Sequence, residues 1–214
     1  MNKVLTVNVH DPEEAVLQTA AHVIREGGVL VYPTETLYGI GADALRPAAV
    51  EKVQRVKRRK DNKPILVLVH SQEMVTQLVR NIPAVAHSLM RKFWPGPLTI
   101  VFEARTGLPE ALTQGSGTIG IRIPSNVFCL ALLRRCNLPL TSTSANISGE
   151  PSPRTIPELQ QALNEGIDLF LDAGTLPESK PSTIVSVASP VPQLIREGVI
   201  SFDSLRTVVP VIER

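Results

Sequence analysis

Lys57-Arg58-Arg59-Lys60-Asp61-Asn62-Lys63-Pro64 runs directly into Ile65-Leu66-Val67-Leu68-Val69. A short, unbroken apolar run bounded by Pro reads as a strand covered on both faces, the kind that lies in a sheet with helices on each side. Upstream, Pro47 stands at the first position of a helix whose Val50, Val53 and Val56 recur at helical spacing, so the cationic stretch is a helix-to-strand corner. Five of its eight residues are Lys or Arg, while the whole chain carries a net charge of only +2. Positive charge is therefore concentrated at one corner. Cations there meet the negative end of the helix dipole, and they equally offer a place to hold an anion.

Towards the amino terminus the same alternation of elements repeats. Met1 to Val9 alternates like a strand, Asp11-Pro12-Glu13-Glu14 reads as an N-cap with Pro at the first helical position, and Val16, Leu17, Ala20, Val23 and Ile24 keep helical spacing. Gly27-Gly28 stops that helix before the strand Val29-Leu30-Val31-Tyr32. Strand, helix and strand in succession define an α/β layer. The strand enters Pro33-Thr34-Glu35-Thr36-Leu37-Tyr38-Gly39-Ile40-Gly41, where Pro ends the ladder and two glycines let the backbone approach a ligand.

Beyond the corner, Ser71 and Pro83 open two helices, and Trp94-Pro95-Gly96-Pro97 breaks the second before the strand Leu98–Phe102. A Gly-rich loop leads to Thr118-Ile119-Gly120-Ile121-Arg122-Ile123-Pro124, an apolar alternation interrupted by one arginine. A charge in such a strand costs several kcal/mol unless it is paired or faces a ligand. Arg122 is thus either an ion-pair partner or an anion ligand. Ser125 caps the next helix, and Thr141-Ser142-Thr143-Ser144 follows, which is either a self-satisfied turn or a hydrogen-bonding rim for phosphate or carboxylate oxygens. A helix near 157–163 and strands at 167–171, 183–187 and 193–196 complete the pattern, with Arg196 again a cation at the end of an apolar strand.

The 214 residues, 43% hydrophobic and 20% charged, suit one soluble domain spanning 1–214, with a core to about Gly198 and a short tail. No apolar stretch reads as a signal peptide or membrane span, so a cytoplasmic protein without membrane contact is expected. Cys129 and Cys136 are at neither redox nor zinc spacing and are expected to be reduced and packed. The four histidines are scattered. No phosphate loop, dinucleotide fingerprint, nucleophile elbow or zinc-protease motif is present. What remains is a set of cations and hydroxyls suited to an anionic substrate.

Seven blocks, in order, resemble the YrdC family: Pro33-Thr34-Glu35-Thr36-Leu37-Tyr38-Gly39, Lys57-x-Arg59, Trp94-Pro95-Gly96-Pro97-Leu98-Thr99, Ile121-Arg122-Ile123-Pro124, Ser144-Ala145-Asn146, Ser182-Thr183-Ile184 and Arg196-x-Gly198. The resemblance implies a twisted mixed sheet flanked by helices, with one concave, positively charged cavity. It implies synthesis of threonylcarbamoyl-AMP and pyrophosphate from L-threonine, bicarbonate or CO2 and ATP, for modification of the tRNA adenosine beside the anticodon. Carried over, it places Thr34, Arg122, Ser142 and Ser182 around threonine. Lys57, Arg59, Thr118, Ser144, Asn146, Ser152 and Arg196 fall around ATP, with Lys57 and Arg59 taking the phosphate charge as the catalytic pair. Mg²⁺ is expected on the nucleotide phosphates, without a dedicated protein cage. A downstream threonylcarbamoyl-transferase complex is the expected partner, and RNA contact is open.

Two positions depart from the family pattern: Lys60 stands where many members have Pro, and Leu68 where many have a histidine beside the threonine pocket. They leave room for a divergent paralogue that takes another amine or serves as an RNA- or nucleotide-binding module. Only 4% of residues are aromatic, which disfavours a base-stacking platform.

Overall fold

The computed structural model describes residues 3–58, 64–163, 165–209 and 211–213. β1 (Lys3–Thr6) is followed by a turn closed by Asn8, whose Oδ1 accepts from the backbone N–H groups of His10 and Asp11. Asp11 is thereby held in the turn, and α1 (Glu14–Arg25) starts later than an Asp11 cap would have it, after Glu13 and without a side-chain cap. β2 (Leu30–Pro33) and β3 (Tyr38–Gly41) pair antiparallel across residues 34–37, and α2 (Pro47–Val56) buries Ala49, Val50 and Val53. Of the run Ile65–Val69, only β4 (Val67–Leu68) is regular strand. Its neighbours bond out of pattern, Ile65 N–H to the Leu112 carbonyl and Val69 N–H to that of Arg122. Ile65, Val67, Leu68 and Val69 are nonetheless fully buried, as a doubly covered strand requires.

α3 (Gln72–Thr76) is capped by Ser71, and α4 (Ala84–Phe93) precedes β5 (Leu98–Glu103). α5 (Glu110–Thr113) interrupts what reads from sequence as a loop, before β6 (Thr118–Arg122). The cap of α6 (Val127–Cys136) is Asn126, not Ser125: its Oδ1 accepts from Cys129 N–H at 2.9 Å. β7 (Leu140–Thr141) and β8 (Thr143–Ser144) flank Ser142. α7 (Ile156–Ala162), with a Thr155–Glu158 capping box, leads to β9 (Leu169–Asp172), β10 (Thr183–Ser186), β11 (Gln193–Arg196) and α8 (Phe202–Arg206). Leu205 and Val209 of the C-terminal stretch join the main core.

The strands form two mixed sheets rather than one, in the orders β1-β9-β2-β3-β8 and β11-β10-β5-β6-β4-β7. The division falls at Ser142: Thr141 pairs with Val67 in the second sheet, and Thr143 pairs with Ile40 in the first. Alternation along β2 assigns its faces. Val29 and Val31 enter the main core with α2, α4 and the second sheet, while Leu30 and Tyr32 enter a smaller core under α1 and α6. Burial on both faces explains why this strand is apolar without a polar side.

Candidate active site

Three segments converge where the two sheets meet. Pro33 ends β2, and the chain turns through Thr34, whose Oγ1 accepts from the N–H groups of Thr36 and Leu37 at 3.1 Å each. Opposite it, β6 carries Arg122 inward, and the crossing at Ser142 is anchored by its N–H on the Leu66 carbonyl at 2.7 Å. The third segment is the start of β10. There the Ser182 hydroxyl lies 3.0 Å from that of Thr99, and Arg196 Nη2 donates to the Ser182 carbonyl at 2.9 Å. Gly198 makes that packing possible, because a Cβ on it would collide with the Pro181 carbonyl oxygen. Instead its N–H donates to Thr183 Oγ1 at 2.9 Å.

These segments enclose a cavity of about 1080 Å³. Thr34, Thr118, Arg122, Ser142, Ser144, Ser152, Ser182 and Arg196 all line it, so eight residues singled out from the sequence meet in one place. Among the described residues, its charged lining consists of Arg122, Arg154 and Arg196 with Glu150 and Glu178. Burial, and then the positive charge of Arg122, draw the Arg196 guanidinium below its ordinary pKa, so the two cations share one field.

Lys57 and Asn146 stand behind this lining. The Lys57 ammonium donates to the Ser144 carbonyl at 2.6 Å, the Asn146 carbonyl at 2.8 Å and Asn146 Oδ1 at 3.1 Å. Asn146 Oδ1 also accepts from the Ser144 hydroxyl, and its Nδ2 donates to the Glu150 carbonyl. In this arrangement Lys57 fixes the rim that carries Ser144 and Glu150. Arg59 lies outside the described residues. Leu68 packs in the α1–α6 core with Tyr32, and the cavity wall along this strand is made by Leu66.

Arg122, 3% exposed, pairs with Glu35, 15% exposed, at 3.2 Å between Nη1 and Oε1. The contact lacks hydrogen-bond geometry: both Glu35 oxygens and the Nε and Nη1 of Arg122 are buried without a hydrogen-bond partner. Behind the pair, the Cys129 thiol donates to the Pro33 carbonyl at 2.9 Å, and the Tyr32 hydroxyl donates to the Thr141 carbonyl at 3.1 Å. Burial pushes both groups well above their ordinary pKa, so both are neutral. Glu35 and Thr99 carry no role in the sequence reading. Glu35 was accessible as the sole carboxylate in its block, whereas Thr99 offers no signal within an apolar strand. Both cysteines are free and buried.

Among the described residues no group of three or more His, Cys, Asp or Glu could hold a metal ion, and no helix is long and apolar enough to cross a membrane. The Sua5_yciO_yrdC family model, described as "Telomere recombination", matches residues 22–198. The chain belongs to this family. A threonylcarbamoyl-AMP synthase of Pyrococcus abyssi is 33% identical over 96% of this chain and 61% of its own length. A putative threonylcarbamoyl-AMP synthase of Methanocaldococcus jannaschii is 37% identical over 95% of this chain and 97% of its own. The crystal structure of P. abyssi Sua5 complexed with L-threonine superposes with a TM-score of 0.93 at 32% identity, covering 99% of this chain and 62% of that one. The chain thus spans about three-fifths of the Pyrococcus protein.

Proposed function

We propose that this protein condenses L-threonine, bicarbonate or CO2 and ATP into threonylcarbamoyl-AMP and pyrophosphate. The observation that carries this reading is the meeting of Arg122, Arg196 and the six Ser and Thr residues singled out from the sequence on one cavity between the sheets. Its volume lies just above the usual range for small-molecule sites, enough for an amino acid beside a nucleotide. Relatives named for this activity support the substrate assignment.

In this reading the carboxylate of threonine sits on Arg122, where a guanidinium offers charge and paired donors. Thr34, Ser142 and Ser182 supply hydroxyls around it. The carboxylated amine of threonine attacks the α-phosphorus; a P–O bond forms to the carbamate oxygen, and the bond to pyrophosphate breaks. Arg196, with Thr118, Ser144 and Ser152, holds the nucleotide against the charge that develops. Lys57 and Asn146 act by holding the rim, and Arg59 keeps the phosphate-facing role that the resemblance gives it. Mg²⁺ bound with the nucleotide would neutralise phosphate charge, with the phosphates and water as its ligands. The product serves tRNA modification in the cytoplasm, through a transferase that accepts the threonylcarbamoyl group.

A different amine substrate is the second reading. It is favoured by the strand that carries Leu66 and Leu68, which presents apolar Leu66 to the cavity and buries Leu68. Pyrophosphate release and mass detection of the adenylate, with ATP, Mg²⁺, bicarbonate and each amino acid in turn, separate the two. Release that requires threonine and bicarbonate establishes the synthase; release with another amine changes the substrate; no release refutes both.

A further inference from the structure

We infer that Glu35 sets the charge selectivity of the amino-acid site, making it accept zwitterions and reject plain carboxylates. The inference rests on the proposed reading of the cavity and names a determinant that reading leaves out. The Arg122 guanidinium lines the cavity, and the Glu35 carboxylate sits 3.2 Å from its Nη1. Two opposite charges in a water-poor wall normally complete each other with hydrogen bonds, because their desolvation is otherwise poorly offset. Here neither Glu35 oxygen makes one, and neither do Nε and Nη1 of Arg122. Glu35 therefore acts by its charge and not by clamping a geometry.

Charge counting gives the consequence. The pair alone is neutral, so a ligand with only a carboxylate leaves an uncompensated negative charge beside Glu35. An α-amino acid brings its own ammonium and leaves the site balanced. Tyr32 and Cys129, which feel the charges of both members of the pair, are neutral and cannot take up the excess. Arg196 is the other cation that Arg122 feels, and it is engaged on the Ser182 carbonyl.

The test compares two ligands of nearly the same shape, L-threonine and its 2-hydroxy analogue, 2,3-dihydroxybutanoate, by calorimetry on the wild-type protein and on Glu35→Gln. A pair of charges separated by one guanidinium interacts strongly enough to change affinity about tenfold. Wild type should prefer threonine. In Glu35→Gln that preference should shrink about tenfold, with the hydroxy acid gaining relative to threonine. Loss of both ligands in equal proportion would make Glu35 only a support for Arg122 and overturn the inference, while the synthase reading stands. Should Glu35→Gln fail to fold by circular dichroism, Glu35→Asp, which keeps the negative charge, must keep the preference; its loss there overturns the inference equally. A wild-type protein that binds no α-amino acid refutes the proposed function itself, and the inference with it.

Discussion

Lys57 and Arg122 are both buried cations, 4% and 2% exposed, yet their surroundings differ in kind. Lys57 donates to three oxygens at 2.6–3.1 Å and ties α2 to the rim beyond β8. Arg122 has a carboxylate beside it, and two of its buried nitrogens, Nε and Nη1, make no hydrogen bond. A buried charge whose donors are all engaged is part of the framework; one with donors left over is what the proposed threonine site asks of Arg122. The difference between these two regions separates structure from function more sharply than burial or charge alone.

The contrast can be broken by mutation, most severely at Lys57. Lys57→Ala takes the charged donor from three oxygens, two of which keep a second, neutral donor, and hydrogen bonds to a charged group contribute about 1.5–3 kcal/mol. Chemical denaturation should show a loss of about 3 kcal/mol, with turnover lost as the rim around Ser144 loosens. Full stability with a slowed adenylation step would move Lys57 from framework to chemistry. Arg122→Ala should do the reverse: threonine affinity falls about ten- to a hundredfold by calorimetry, while stability changes less than in Lys57→Ala. Equal destabilisation of the two variants would abolish the distinction.

Tyr38 sharpens it on a smaller scale. Its hydroxyl donates to the Gly174 carbonyl at 2.8 Å and accepts from Ala173 N–H at 2.9 Å, a satisfied group at the edge of the cavity. Burial pushes it up to about 12. The folded chain therefore holds this proton to higher pH than the unfolded chain, where tyrosine titrates near pH 10. Its contribution is complete below about pH 10 and is lost as the pH rises towards 12. Tyr38→Phe should cost about 1 kcal/mol at neutral pH and flatten that part of the stability profile. A profile with the same slope would assign the alkaline loss to other groups.

Much of this was legible in the chain. The burial of Ile65, Val67, Leu68 and Val69 follows from an apolar run without alternation, and Arg122 stood out because a cation inside a strand demands an account. The helix starts near Asp11 and Ser125 were misplaced, since several residues in each stretch can cap: the turn closed by Asn8 takes up Asp11, and Asn126 rather than Ser125 accepts from Cys129 N–H. The division into two sheets was hidden because Thr141 to Ser144 has no hydrophobic pattern from which to read register. The partner of Arg122 was hidden too: Glu35 is distant in sequence, and the pairing exists only once β6 has been laid against the turn after β2.

At Ser142 the chain steps from one sheet to the other, with Thr141 registered on Val67 and Thr143 on Ile40. Ser142 also lines the cavity, so the step between the sheets is itself part of the cavity wall. A molecule that touches Thr34 on one side and Ser182 on the other would serve as a cross-brace. It would add a polar tie between two layers already joined through one hydrophobic core, to which Val31 and Ile40 belong on one side and Val67 and Ile100 on the other.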